Sequence, residues 1–157
     1  MKINLSLIPY VVIIGLLTIL YVMYNGVPHT LVINGATDSQ KDIINEAMQK
    51  IDKRVANSIY SVTVSNDLTE QKCSGDIRGV FLGCTEASFN PKGGSVRADI
   101  YLANDKYSGC YTFNNTLYHE IGHVAYNYYF GETQDSQVLF GTEMWVNNFA
   151  NQYAPSC

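Results

Sequence analysis

The segment Tyr118-His119-Glu120-Ile121-Gly122-His123 contains the pattern H-E-x-x-H. On an α-helix, residues four apart share a face, so both imidazoles can reach one divalent cation. Glu120 stands beside the first histidine, where its carboxylate can take a proton from a water on that cation without itself ligating. The chain has three histidines, and two of them fall in this pattern. Leu117, Ile121, Val124, Ala125 and Tyr128 recur at helical spacing through the same stretch, so a helix is expected there even without the motif.

A catalytic zinc usually takes three protein ligands and keeps a fourth position for water. A third histidine in the extension H-x-x-G-x-x-H would need glycine at 126 and histidine at 129, and those positions are Tyr126 and Tyr129. His29 is the remaining histidine and lies far upstream. Glu143 is better placed: it follows His123 after positions 124–142, nineteen residues, at the start of a second helical pattern. That pattern runs from about Thr142 to Tyr153, with Trp145, Val146, Phe149, Ala150 and Tyr153 on its apolar side.

H-E-x-x-H followed by nineteen residues and a helical glutamate resembles the gluzincin metallopeptidases, the thermolysin-like clan. The match covers about Asn114 to Ala150, together with a strand at 95–103. The size is similar to that of the minimal single-domain members, the minigluzincins. The resemblance implies an α+β, zincin-like domain with a small mixed sheet, a catalytic helix and a glutamate helix. It implies one zinc ion on His119, His123 and Glu143, and peptide-bond hydrolysis with Glu120 as the proton carrier. It also implies that an extended peptide or protein substrate pairs with the strand before the catalytic helix, here 96–102. In the family an aspartate one turn after the third ligand orients the first histidine; here Asn147 stands there, an acceptor without charge. The oxyanion partner is often a tyrosine or histidine beyond the motif, and Tyr126, Tyr129 and Tyr153 are candidates.

Other elements must position these residues. Thr30 to Asn34 reads as a strand, and Thr37-Asp38-Ser39-Gln40 as a helix start with a capping box. Ile43, Ile44, Ala47, Met48, Ile51 and Val55 then predict an amphipathic helix over 38–57. Ile59 to Ser65 reads as a strand, Ile77 to Cys84 as a weaker one, and Asn90 to Gly94 as a turn. Val96, Ala98, Ile100 and Leu102 alternate with polar residues, a half-buried strand. Asn114, Asn115 or Thr116 can cap the catalytic helix, which should stop before Gly131.

The stretch Ile3 to Tyr24 carries no charge. Its twenty-two residues would make roughly 33 Å of helix, against a hydrocarbon core of about 30 Å. The expectation is an uncleaved single-pass anchor over 1–26, with a cytoplasmic N-terminus set by Lys2 and a peptidase domain over 27–157 outside the cytoplasm. Four cysteines, at 73, 84, 110 and 157, suit an oxidising compartment, with Cys73–Cys84 and Cys110–Cys157 as the expected pairs. The net charge of −4 and the lack of a basic cluster exclude a nucleic-acid binder.

Rival readings remain. A zinc-binding homologue without activity would share every ligand. Peptide deformylases also use H-E-x-x-H, with a cysteine ligand that Gly83-Cys84 echoes. A pilin-like subunit would share the apolar N-terminus and small α/β body, without chemistry.

Overall fold

The computed structural model describes residues 8–25, 29–66, 82–89, 96–104, 107, 112–131 and 136–154. The elements in chain order are α1 (Ile8–Asn25), β1 (Val32–Asn34), α2 (Asp38–Lys50), α3 (Lys53–Ala56), β2 (Ile59–Ser65), β3 (Gly83–Phe89), β4 (Val96–Ala103), α4 (Phe113–Phe130) and α5 (Ser136–Tyr153). The four strands form one sheet in the order β1-β2-β4-β3, with β1, β2 and β4 parallel and β3 antiparallel to β4. The expected α+β class with a small mixed sheet therefore holds.

The alternation in β4 explains its place. Ala98, Ile100 and Leu102 are fully buried against the helices, and Val62 and Val64 of β2 continue the same face. The intervening residues point the other way: Ser61 donates to Asp99 at 2.6 Å and Tyr101 to Glu86 at 3.4 Å. Leu117, Ile121, Val124 and Ala125 of α4 and Ile44, Ala47 and Val55 of α2 and α3 close the core from the helical side. Burial of such aliphatic side chains is worth about 1.5–3 kcal/mol each and holds α4 on the sheet.

The capping box is present: Gln40 N donates to Thr37 Oγ1 at 3.3 Å, and Thr37 N donates to Gln40 Oε1 at 2.8 Å. The expected helix 38–57 is interrupted, however. Ile51 is extended, and the Asp52 carboxylate accepts from Arg54 N at 2.8 Å, capping the short α3. An aspartate side chain competes for backbone N–H groups, which ends one helix and starts another.

The first strand is shorter than expected, beginning at Val32, and the helix that carries the H-E-x-x-H pattern is longer, with Thr112 rather than a later residue as its N-cap. It ends at Gly131, whose φ of 75° lies in the left-handed region that glycine adopts without penalty. Helix α5 begins at Ser136, before the expected Thr142. The turn at Asn90–Gly94 and most of the strand expected at Ile77–Cys84 lie outside the described residues.

The membrane anchor expected over residues 3–24 is corrected. Among the described residues no helix is long and apolar enough to cross a membrane. The described helix α1 comprises 18 residues, Ile8–Asn25. It begins at Ile8 and carries Pro9, Tyr10, Thr18, Tyr21 and Asn25 within its length. The transmembrane helix in the expected fold class, and the single-pass placement with an extracytoplasmic body, fall with it.

Candidate metal centre

Helix α4 carries His119, Glu120 and His123, and α5 carries Glu143. The two helices pack closely because Gly122 has no side chain: a Cβ there would lie 3.0 Å from Val146 Cγ1 and 3.3 Å from Phe149 Cδ1. Val146 is fully buried on the same side of α5. Three residues before it, Glu143 is thereby held over the two histidines.

His119 Nε2 lies 3.5 Å from Glu143 Oε2, and His123 Nε2 lies 3.4 Å from Glu143 Oε1. The two Nε2 atoms are 3.2 Å apart. All three residues offer a ligand atom within 4.8 Å of one another, a group that could hold a metal ion. On the far side of the first ring, His119 Nδ1 is 3.0 Å from Asn147 Oδ1. With the amide oxygen facing the ring, Nδ1 carries the proton and Nε2 presents its lone pair to the group. His123 is kept neutral: burial, with help from His119, lowers its pKa to about 4. A neutral imidazole is the form that ligates.

Glu120 belongs to the same helix but points at the sheet. It is 5% exposed, and its Oε2 accepts a hydrogen bond of 2.8 Å from Thr85 Oγ1 on β3. Burial raises its pKa to about 8, against the lowering effect of the Thr85 bond and with a further raise from Glu143. Gly83, also on β3, leaves room for it: a Cβ there would sit 2.9 Å from both Glu120 Cγ and Oε1. Thr85 and Gly83 were not evident as site residues in the sequence, because β3 meets α4 only through the long-range pairing of the sheet.

The three tyrosines considered as oxyanion partners are engaged elsewhere. Tyr129 donates to Asp52 Oδ2 at 2.7 Å, Tyr126 packs on Phe130 and Trp145, and Tyr153 stacks on Tyr118 with centroids 4.9 Å apart. Tyr107 is bonded to the strands beside α4. Its hydroxyl donates to Ala103 O at 2.7 Å, and burial, with the Glu120 carboxylate, holds its pKa well above the usual phenol range. His29 is not a member of the metal group: its Nε2 is 2.9 Å from Ile59 O and its ring stacks on Tyr60 at 4.0 Å. A cavity of about 290 Å³ beside His29, lined also by Tyr21, Leu31, Met48 and Lys53, shares no residue with the group.

Two further expectations are decided here. Cys84 is disulfide-bonded, so its sulfur is not a metal ligand, which removes the deformylase reading. Cys73, Cys110 and Cys157 lie outside the described residues, and with them the expected pairings. The strand 96–102, expected to receive substrate, is interior: β4 pairs with β2 on one side and β3 on the other. A strand with both edges bonded has no main-chain groups left for a peptide, and the sheet edge beside α4 is β3. Compared with known proteins, the chain matches no family model, no curated protein and no solved structure.

Proposed function

We propose that the chain is a zinc-dependent peptidase, on the observation that His119, His123 and Glu143 converge next to the buried carboxylate of Glu120. Ligand atoms about 2.0–2.1 Å from a tetrahedral zinc stand roughly 3.3–3.4 Å from one another. The two Nε2 atoms, 3.2 Å apart, are close to that spacing, and each faces its own oxygen of Glu143, at 3.4 Å from His123 and 3.5 Å from His119; two imidazoles with one carboxylate are a donor set suited to zinc. Bound there, the ion would supply Lewis acidity, activating a water and polarising the scissile carbonyl.

The chain's own residues supply the rest. Glu120 takes a proton from the attacking water and delivers it to the leaving amine; burial raises its pKa to about 8 without the ion, and a bound cation would favour the ionised form that a base needs. Asn147 fixes the ring of His119, and Gly122 sets the helix spacing that brings Glu143 over the histidines.

Among the described residues β3 is the edge strand of the sheet, and an extended peptide is positioned along that edge. The hydrogen bond from Ala103 N to Leu82 O marks that pair as bonded, so Cys84, Glu86 and Ser88 turn their main-chain groups to β4. Gly83, Thr85 and Ala87 turn theirs outward, available to an added strand.

The test is metal analysis of the full chain beside peptide-hydrolysis assays. Wild type is expected to hold one zinc per chain and to cleave peptides. Glu120→Gln should keep the zinc and lose turnover, whereas Glu143→Ala should bind zinc weakly. A wild-type chain that takes up no zinc, or a Glu143→Ala variant of undiminished affinity, overturns the proposal. Zinc without hydrolysis leaves a metal-binding protein only.

A further inference from the structure

Glu120 is the one acidic side chain of α4, and its carboxylate has turned away from solvent into the seam between α4 and β3. Two features of β3 shape that seam. Thr85 Oγ1 is 2.8 Å from Glu120 Oε2 and 3.1 Å from the Glu120 carbonyl oxygen. A hydroxyl has a single proton, and the Glu120 side-chain oxygen, at the shorter distance, is the acceptor better placed for it. Gly83, two residues earlier on the same face, leaves the space that the Glu120 Cγ and Oε1 occupy.

A glutamate carboxylate, on three rotatable bonds, has several rotamers, and only some bring its oxygens to the water that must be deprotonated. The backbone of α4 alone does not choose among them. Resting on the peptidase reading above, we propose that Thr85 is a positioning residue for Glu120, its hydroxyl fixing the carboxylate rotamer while Gly83 leaves that rotamer open. Because Thr85 also turns its main-chain groups to the edge of β3 away from β4, the same residue sets the base and one point of substrate alignment in a fixed relation. The base therefore stays in register with a peptide lying on that edge.

The experiment uses the full zinc-loaded chain and compares Thr85→Val, which keeps the branched shape, with Thr85→Ser, which keeps the hydroxyl. Peptide kinetics are expected to show kcat lowered about 10- to 100-fold in Thr85→Val with KM little changed, and recovery towards wild type in Thr85→Ser. Zinc content should be equal in all three. In parallel, the carboxyl carbon resonance of Glu120, assigned by its loss in Glu120→Gln, should move in Thr85→Val and stay in place in Thr85→Ser. Undiminished kcat in Thr85→Val, or equal loss in both variants, overturns the proposal. If wild type cleaves no peptide, the peptidase reading fails on its own. The resonance then decides the Thr85 contact: movement in the valine variant alone sustains it, and no movement refutes it.

Discussion

Asn147 lies one helical turn beyond Glu143, and its side-chain oxygen is 3.0 Å from His119 Nδ1. The two helices are thus joined twice at the centre, once where Glu143 meets the lone-pair side of the histidines and once behind His119. A carboxylate in the position of Asn147 would make the same bond with a charge, raising the basicity of the imidazole. Asn147→Asp is therefore expected to tighten zinc binding about tenfold, and Asn147→Ala to weaken it about 10- to 100-fold. Chelator competition measures both, and equal affinities in the three proteins would dismiss the role given to Asn147.

The metal-free protein should lose stability as pH rises from 6.5 to about 8, above the window in which His123 opposes Glu120. Glu120 keeps its proton to about pH 8 when folded, whereas its unperturbed value is 4.5. Between those values the folded state holds the extra proton, so its advantage is full below pH 4.5 and is lost as pH climbs through 8. His123 acts in the opposite direction: folded it titrates at about 4 rather than 6.5, so acidification through that window is unfavourable. The difference between wild type and Glu120→Gln isolates the carboxylate. The glutamine variant should gain on wild type by on the order of 2–4 kcal/mol between pH 5 and pH 8, read by denaturant unfolding. Zinc should flatten the difference, since a nearby cation favours the ionised carboxylate. A pH-independent gap in the absence of metal would contradict the burial argument.

Gly122 tests the helix spacing. Gly122→Val places two methyl groups where a single Cβ already comes within 3.0 Å of Val146. Overpacking of this kind costs about 1–3 kcal/mol and should displace Glu143 from the histidines. Lower thermal stability together with weaker zinc binding is the expected pair of results. A stable variant of unchanged affinity would show that α5 can shift without disturbing its glutamate.

Tyr129 separates scaffold from chemistry. Its hydroxyl donates to Asp52, whose carboxyl the Arg54 guanidinium holds well below the usual carboxylate range, and Arg54 in turn lies 5.7 Å from the Tyr129 ring centroid. Tyr129→Phe should cost about 1 kcal/mol of stability and leave peptide turnover unchanged. A fall in kcat without loss of stability would instead return Tyr129 to the active site.

The metal group was legible in the sequence because its geometry is local. His119 and His123 are fixed by one helical turn, and Glu143 belongs to the next helix. The partners of Glu120 were not legible, since nothing in Gly83-Cys84-Thr85 announces that this strand joins β4 in packing on α4. Alternation in Val96–Leu102 reveals a half-buried strand but not how many neighbours it has, so an interior strand was read as an edge. The break at Ile51–Asp52 was hidden by apolar spacing that runs unbroken across it. At the N-terminus, counting uncharged residues gave a span of twenty-two, whereas the described helix starts at Ile8 and has 18 residues.

The three groups placed to grasp a cation span only positions 119 to 143, whereas the carboxylate meant to use it is held from position 85. Contacts close in sequence form sooner than distant ones. During folding, the hairpin of α4 and α5 can thus gain affinity for an ion before the strands assemble. If the proposed peptidase reading holds, proteolytic power would come only once the strand that carries Thr85 has paired, which would spare the half-made chain and its neighbours from premature cutting.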